Sequence, residues 1–306
     1  MKIAIIGQAA FGKDVLAKLI ENGELVSAVI CPPDDGKSYD PIKQTAIENQ
    51  IEVFQYNRMR DKSAISQFIS LDIDLCVMAF VTDIVPMEIL SAPTLGTIQY
   101  HPSLLPKHRG PSSMNWPIIK GEKKTGLTIF WPDEGLDTGP VLLQKEMDIA
   151  PEDTLGSLYF GKLYPLGIEA IIEAVQLVKE RKAPKINQNH NQATYEGWCS
   201  TADGQIDWSQ PAPEIYNLIR GCDPSPGANT TYKGDKLSLF DASYNKTNNL
   251  DQENGSIISI EENALEIKAK GGVIRIGRLR YGKGPKLGAS EFAKSYELHK
   301  GTKFPS

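Results

Sequence analysis

In its first half the chain alternates short apolar runs with amphipathic ones. Residues 2–7, Lys-Ile-Ala-Ile-Ile-Gly, carry no polar side chain after Lys2 and read as a strand buried on both faces. Residues 13–22 place Val15, Leu16 and Leu19 on one side at helical spacing, after a turn spanning 7–12. Strands follow at 24–31, 52–54 and 75–81, helices at 40–49 and 62–69, and a helical turn at 87–90. Single helices between short buried strands predict a doubly wound sheet with parallel strands. The pattern continues with strands at 97–100, 127–131 and 141–144 and a helix at 112–120. A long amphipathic helix is predicted from Thr154 to about Arg181. Thr154 suits its N-cap, Glu152 and Asp153 suit its positive end, and a bend is expected near Pro165.

Residues 182–192 are polar and irregular and read as a linker, with His190 in it as a solvated residue. Beyond Tyr195 the chain becomes a run of short β segments at 230–232, 237–241, 255–260, 264–268 and 272–276, preceded by a helix at 213–220 and followed by one at 289–300. Strands at such spacing predict a small barrel. The expected fold is therefore α/β: a Rossmann-like doubly wound sheet over residues 1–187, a linker at 188–204, and a smaller C-terminal β-barrel domain at 205–306.

Composition narrows the function. The 306 residues carry a net charge of −5, so a general nucleic-acid binder is disfavoured. The four cysteines, at 31, 76, 199 and 222, show no metal or disulfide spacing, and reduced thiols in a cytoplasmic protein are expected. Met1 opens directly onto a strand, and no apolar run reaches about 18 residues, so no membrane partner is expected. Gly7 and Gly12 hold the outer places of a G-x-G-x-x-G turn, but Ala9 replaces the middle glycine that lets a pyrophosphate approach. No NAD is expected, and no metal site is predicted.

The chemistry is concentrated between Gly96 and Gly139. A strand delivers His101 at its end, and Pro102 and Pro106 break the chain on either side of Leu104 and Leu105. Period-two geometry turns Gln99 to the same side as His101. Asp137 lies 36 residues on, in the Gly-punctuated loop Asp133-Glu-Gly-Leu-Asp-Thr-Gly139. Leu136 hints that this loop dips inward, while Asp133 and Glu134 read as exposed. Lys107, His108 and Arg109 read as a solvated or anion-facing turn. A His, an amide and a carboxylate, with no G-x-S-x-G and no phosphate loop, suit acid–base transfer of a small acyl group without a covalent intermediate.

At these residues the chain resembles the folate-dependent formyltransferase family. The Ser-Leu-Leu-Pro-x-x-Arg-Gly motif stands as Ser103-Leu-Leu-Pro-Lys-His-Arg-Gly110, with the family's His at His101 and its Asp at Asp137. The likeness covers nearly the whole chain. Within the family it is most similar to the hydrolase branch, the domains that belong to 10-formyltetrahydrofolate dehydrogenases. The stretches Ala193-Thr-Tyr-Glu-Gly197 and Leu142-Leu-Gln-Lys-Glu146 contribute to that likeness. The resemblance implies 10-formyltetrahydrofolate as co-substrate, with its pterin walled by Phe80, Val81, Thr82, Asp83, Leu104, Asp133, Glu134 and Gly135. It also implies a formyl acceptor that is water or a small amine, methionyl-tRNA being a weaker alternative and a folate-binding module with little catalysis another. A fused or separate carrier domain is a further possible partner, the chain being either a stand-alone homologue or an excised domain. Transferases of the family carry Asn two residues before the His, and hydrolase domains tend to carry an aliphatic residue. Gln99 is neither.

Overall fold

A computed structural model describes residues 1–34, 36, 38–247 and 251–305. Asp35 and Lys37, in the short acidic loop that follows the second strand, lie outside the described residues. The chain divides into two compact units. The first comprises Met1–Ser113, Gly126–Met147 and Lys162–Glu196; the second comprises Met114–Thr125, Asp148–Gly161 and Gly197–Ser306. Two segments that the sequence pattern assigns to the first domain thus group with the second.

The first unit is built on the strands β1 (Lys2–Gly7), β2 (Leu25–Cys31), β3 (Glu52–Gln55), β4 (Leu75–Ala79), β5 (Thr97–His101), β6 (Lys124–Phe130) and β7 (Val141–Asp148). They lie in the order β3-β2-β1-β4-β5-β6-β7. The first five strands are parallel, but β6 runs antiparallel to β5, with Gln99 opposite Phe130 and His101 opposite Thr128. The sheet is therefore mixed, not wholly parallel as the pattern predicts. The connection through residues 102–123 leaves and re-enters the sheet at the same end, so β6 returns beside β5 in the antiparallel sense.

Helices α1 (Ala9–Glu21) and α2 (Pro41–Glu48) connect β1, β2 and β3; α3 (Lys62–Ser70) and α4 (Met87–Leu90) connect β3, β4 and β5. Helices α3 and α4 cover one face, where Phe68, Ile89 and Leu90 pack on Ala4, Ile6, Ala28, Ile30, Cys76 and Met78. Strand order reverses between β1 and β4, which is where open α/β sheets leave a crevice at the carboxyl ends of their strands. Gln8 and Thr82 meet across that point, Gln8 Nε2–H donating to Thr82 Oγ1 at 3.3 Å. Cys76 is wholly enclosed, and burial pushes its thiol up to about 12.

Helix α1 begins at Ala9, four residues before the position predicted. Ala9 takes φ +57, and its N–H donates to both oxygens of Asp40, at 2.9 and 3.0 Å. Asp40 also accepts from Ile42 N–H as the N-cap of α2. One carboxylate thus caps two helices, and it occupies the helix end where a dinucleotide fold would place a pyrophosphate.

In the second unit, helix α5 (Asn115–Ile119) is shorter than predicted, and α6 (Leu155–Leu158) opens with a capping box between Thr154 and Ser157. The long helix expected from Thr154 is interrupted by a π-type turn at Tyr159–Leu163 before α7 (Tyr164–Lys179), which belongs to the first unit and whose second residue is Pro165. The break thus falls just ahead of the proline, where the missing N–H costs nothing. Helix α8 (Ala212–Gly221) packs on the strands β8 (Ala228–Tyr232), β9 (Asp235–Lys246), β10 (Ile257–Ile260), β11 (Leu265–Ala269), β12 (Gly272–Tyr281) and β13 (Lys286–Gly288), followed by α9 (Ala289–Tyr296). The strands expected of a small barrel form an antiparallel sheet in the order β10-β11-β12-β9-β8, with β13 on β12. Strands β9 and β12 outrun their apolar cores because they pair with each other, from Leu237 against Tyr281 to Lys246 against Gly272. Sulfur atoms of Cys199 and Cys222 stand 4.0 Å apart.

Among the described residues no helix is long and apolar enough to cross a membrane, and no cluster of three or more His, Cys, Asp or Glu is placed to hold a metal ion. Asp40→Ala removes the shared cap and is expected to cost about 1–2 kcal/mol, read as a lower urea midpoint of the first unit.

Candidate active site

His101 is the last residue of β5 and is 5% exposed. Its ring Nε2 lies 2.8 Å from the carbonyl oxygen of His108. A carbonyl only accepts, so Nε2 carries its hydrogen and Nδ1 is the ring atom that can take up or release a proton. Nδ1 faces Asp137 Oδ2 at 3.7 Å. Asp137 is 6% exposed, takes φ +56, and accepts the N–H of Gly110 on the same oxygen at 2.8 Å. The structure thus brings the two predicted acid–base residues together. The predicted cue for burial points the other way, because Leu136 is 52% exposed and the left-handed turn at Asp137 alone sends its carboxylate inward.

The loop after His101 is held by buried polar contacts rather than by apolar ones. Ser103 Oγ–H donates to Lys107 O, and Thr128 Oγ1–H donates to Ser103 O at 2.7 Å while accepting from Leu105 N–H. Gln144 Nε2–H donates to Leu105 O. Leu104 is half-buried and closes over Gly126. Of the solvated or anion-facing turn expected at residues 107–109, the structure has the anion-facing form at His108, which meets Glu196. Only Lys107 is exposed. His108 is buried at φ +55, its Nδ1–H donates to Glu196 Oε2 at 3.1 Å, and its backbone N–H donates to Thr194 Oγ1. Arg109 is buried too, donating to Gln188 Oε1 and to His190 Nδ1. The physical reason is local compensation. Glu196 partners the buried imidazole, and Gln188 and His190 partner Nη2 of the buried guanidinium, while Arg109 Nε has no hydrogen-bond partner among the described residues. Residues 194–196 run alongside as an extended strip, with Arg109 N–H on Thr194 O and Glu196 N–H on Arg109 O.

Gln99 lies in β5 between Met78 and Phe130, half-buried, two residues before His101 on the same side of the strand. Strand β4 ends beside it, and Phe80 leaves that end at φ +63, 45% exposed. Val81 packs on the α3–α4 core, and Thr82 accepts from Gln8. Asp83 spends its carboxylate on the N–H groups of Met59 and Ile84. In the other loop Asp133 accepts from Gly135 N–H and from Thr138 Oγ1–H, while Glu134 points to solvent. Gly135 is tight, because a Cβ there would meet Thr138 Oγ1 at 2.0 Å. Asp83 and Asp133 are therefore loop-holding carboxylates in this geometry, whereas Phe80, Leu104 and Leu136 offer apolar surface.

Residues absent from the predicted set are Gln188, Thr194 and Glu196, which hold the His101–Asp137 loops, together with Gln8, Thr128 and Gln144. Thr194 and Glu196 stand in one of the stretches that carry the family likeness. Gln188 stands in a polar run without any periodic signal.

The family model for formyl transferases matches residues 1–175, and that for the formyl transferase C-terminal domain matches residues 199–297. The chain belongs to the formyl transferase family. It is similar to the human cytosolic 10-formyltetrahydrofolate dehydrogenase, with 45% identity over 251 residues, covering 80% of this chain. That match spans 28% of the relative's length. It is also similar to the methionyl-tRNA formyltransferase of Clostridioides difficile (strain 630), 35% identical over 98% of this chain and 99% of the relative. Among solved structures, HypX from Aquifex aeolicus in complex with tetrahydrofolic acid matches all of this chain and 51% of its own with a TM-score of 0.70 at 18% identity, a likeness of fold.

Gly110 tests the loop. It takes φ +104, and a Cβ there would stand 2.4 Å from Glu196 O. Gly110→Ala is expected to cost ~2–4 kcal/mol from backbone strain and overpacking, measured as a lower thermal midpoint of the folded protein.

Proposed function

We propose that the chain binds 10-formyltetrahydrofolate and passes its formyl group to water, releasing tetrahydrofolate and formate. The observation that carries this reading is the enclosed His101–Asp137 pair, with the Gln99 amide one strand step away. Similarity to a 10-formyltetrahydrofolate dehydrogenase supports the choice of folate and of water. The residues present fit that substrate: Phe80, Leu104 and Leu136 supply apolar surface for a flat ring, and Gln8 and Thr82 supply polar edges at the strand-order reversal.

In this reading Gln99 donates an amide N–H to the negative charge that develops on the formyl oxygen. His101, its Nε2–H committed to His108, presents Nδ1 to the same charge when that nitrogen is protonated. Asp137 takes one proton from the attacking water as the C–O bond forms. Asp137 returns that proton to the departing folate nitrogen as the C–N bond breaks. The remaining acidic proton leaves with formic acid, which ionises in solution. An amine in place of water needs the same proton accounting, so the pair by itself serves either acceptor.

A second reading is methionyl-tRNA formyl transfer, favoured by the end-to-end match to a relative of that name. The net charge of −5 argues for ranking it second, because affinity for nucleic acid rests on phosphate neutralisation. A cytoplasmic location belongs to both readings.

The test is tetrahydrofolate release from 10-formyltetrahydrofolate with no acceptor added. Steady release is expected, reduced ~100- to 10,000-fold by His101→Ala and by Asp137→Asn with folding intact. Release only on addition of methionyl-tRNA would overturn hydrolysis in favour of the second reading. Unchanged release in both variants would remove the assignment of the pair.

A further inference from the structure

Residues 186–188 lie against the Asp137 loop. Ile186 forms a two-way backbone bridge with Val141, at 2.8 and 2.9 Å. Two residues on, Gln188 is 7% exposed, and its side-chain nitrogen donates both hydrogens inward, to Asp137 O at 2.9 Å and to Gly139 O at 2.7 Å. Its side-chain oxygen accepts from Arg109 Nη2 at 2.7 Å. All three hydrogen-bonding positions that its amide directs at the protein are therefore used, and two of them hold carbonyls two residues apart in the loop that carries Asp137.

Two carbonyls held by one planar NH2 leave the intervening peptides little freedom to rotate. Those peptides set the left-handed turn at Asp137, and that turn decides where the carboxylate points. The loop has no slack to take up a shift, because a Cβ on Gly139 would already lie 1.8 Å from Trp131 O. Arg109 completes the device. Its guanidinium is buried, and its cationic donor orients the Gln188 amide so that the nitrogen, not the oxygen, faces the loop. An acid in place of Gln188 would retain the Arg109 contact but turn a lone pair toward each carbonyl.

We propose that Gln188 is a positioning residue for Asp137, acting as a clamp on the carbonyls of Asp137 and Gly139 and oriented by Arg109. The proposal rests on the reading of Asp137 as the residue that moves the proton. Positioning errors of ~1 Å cost on the order of 100-fold in rate.

The experiment compares Gln188→Glu, Asp137→Asn and the wild-type full chain in tetrahydrofolate release, with folding checked by circular dichroism. Expected for Gln188→Glu is a kcat, counted per folded molecule from the circular dichroism, lowered ~10- to 100-fold with KM changed less than about 3-fold, a split that loss of a binding wall does not produce. If Asp137→Asn is inactive and Gln188→Glu keeps wild-type kcat, the clamp is wrong and the function stands. If Asp137→Asn keeps wild-type kcat, the assignment of Asp137 falls and the clamp falls with it. Should Gln188→Glu not fold, Arg109→Lys takes its place. A lowered kcat at near-constant KM supports the clamp, and an unchanged kcat overturns it.

Discussion

One hydrogen bond constrains the rest of the site, the bond from His101 Nε2 to the carbonyl of His108. A buried imidazole can have only one nitrogen committed to a carbonyl if the other is to exchange a proton. That commitment turns Nδ1 toward Asp137. It also requires the carbonyl of His108 to point back into the protein, which the chain achieves with a left-handed residue at 108 and a positive-φ glycine at 110. The N–H of that glycine then meets the very carboxylate oxygen that faces His101. Ring, carbonyl, glycine and carboxylate form one closed polar circuit.

Such a circuit is costly to bury unless each member finds partners, and the partners come from far along the chain. Thr194 and Glu196 satisfy the backbone and ring of His108, and Gln188 satisfies Arg109 and the Asp137 loop. The same segment, residues 188–196, therefore supports the histidine loop and the aspartate loop. Polar networks of this kind give a unique geometry when complete and little stability when broken, since every missing partner leaves a desolvated group behind. The left-handed residues at positions 108 and 137 are tolerated because the surroundings determine them several times over.

The family relationship places this chain between two kinds of relative. It matches a minor part of a long dehydrogenase at higher identity and the whole of a tRNA formyltransferase at lower identity. In the proposed function the His–Asp pair serves the formyl-transfer step whichever acceptor is used. Discrimination between acceptors must lie in what surrounds the pair. Gln99 is the side chain nearest to it in sequence that departs from the residue types of both branches.

Much of this protein was legible in the order of its residues. Apolar runs alternating with amphipathic helices identified the five parallel strands, and two chain-breaking prolines after His101 marked the loop that carries the motif. Those signals are local, arising from propensity, periodicity and turn chemistry within a few residues. The antiparallel return of β6 and the lengths of β9 and β12 were not legible, because pairing with a distant strand decides them. The site divides in the same way. His101, Asp137 and Gln99 stood out by type and position, yet Leu136 was a misleading cue, and the partners that bury Arg109 did not show, because no run of sequence reveals a partner 79 residues away. Sequence by itself determined which groups could exchange a proton. Only the tertiary structure decided which nitrogen of His101 faces Asp137, and which buried amide hydrogen-bonds the aspartate loop, because hydrogen-bond partners are selected by proximity in space.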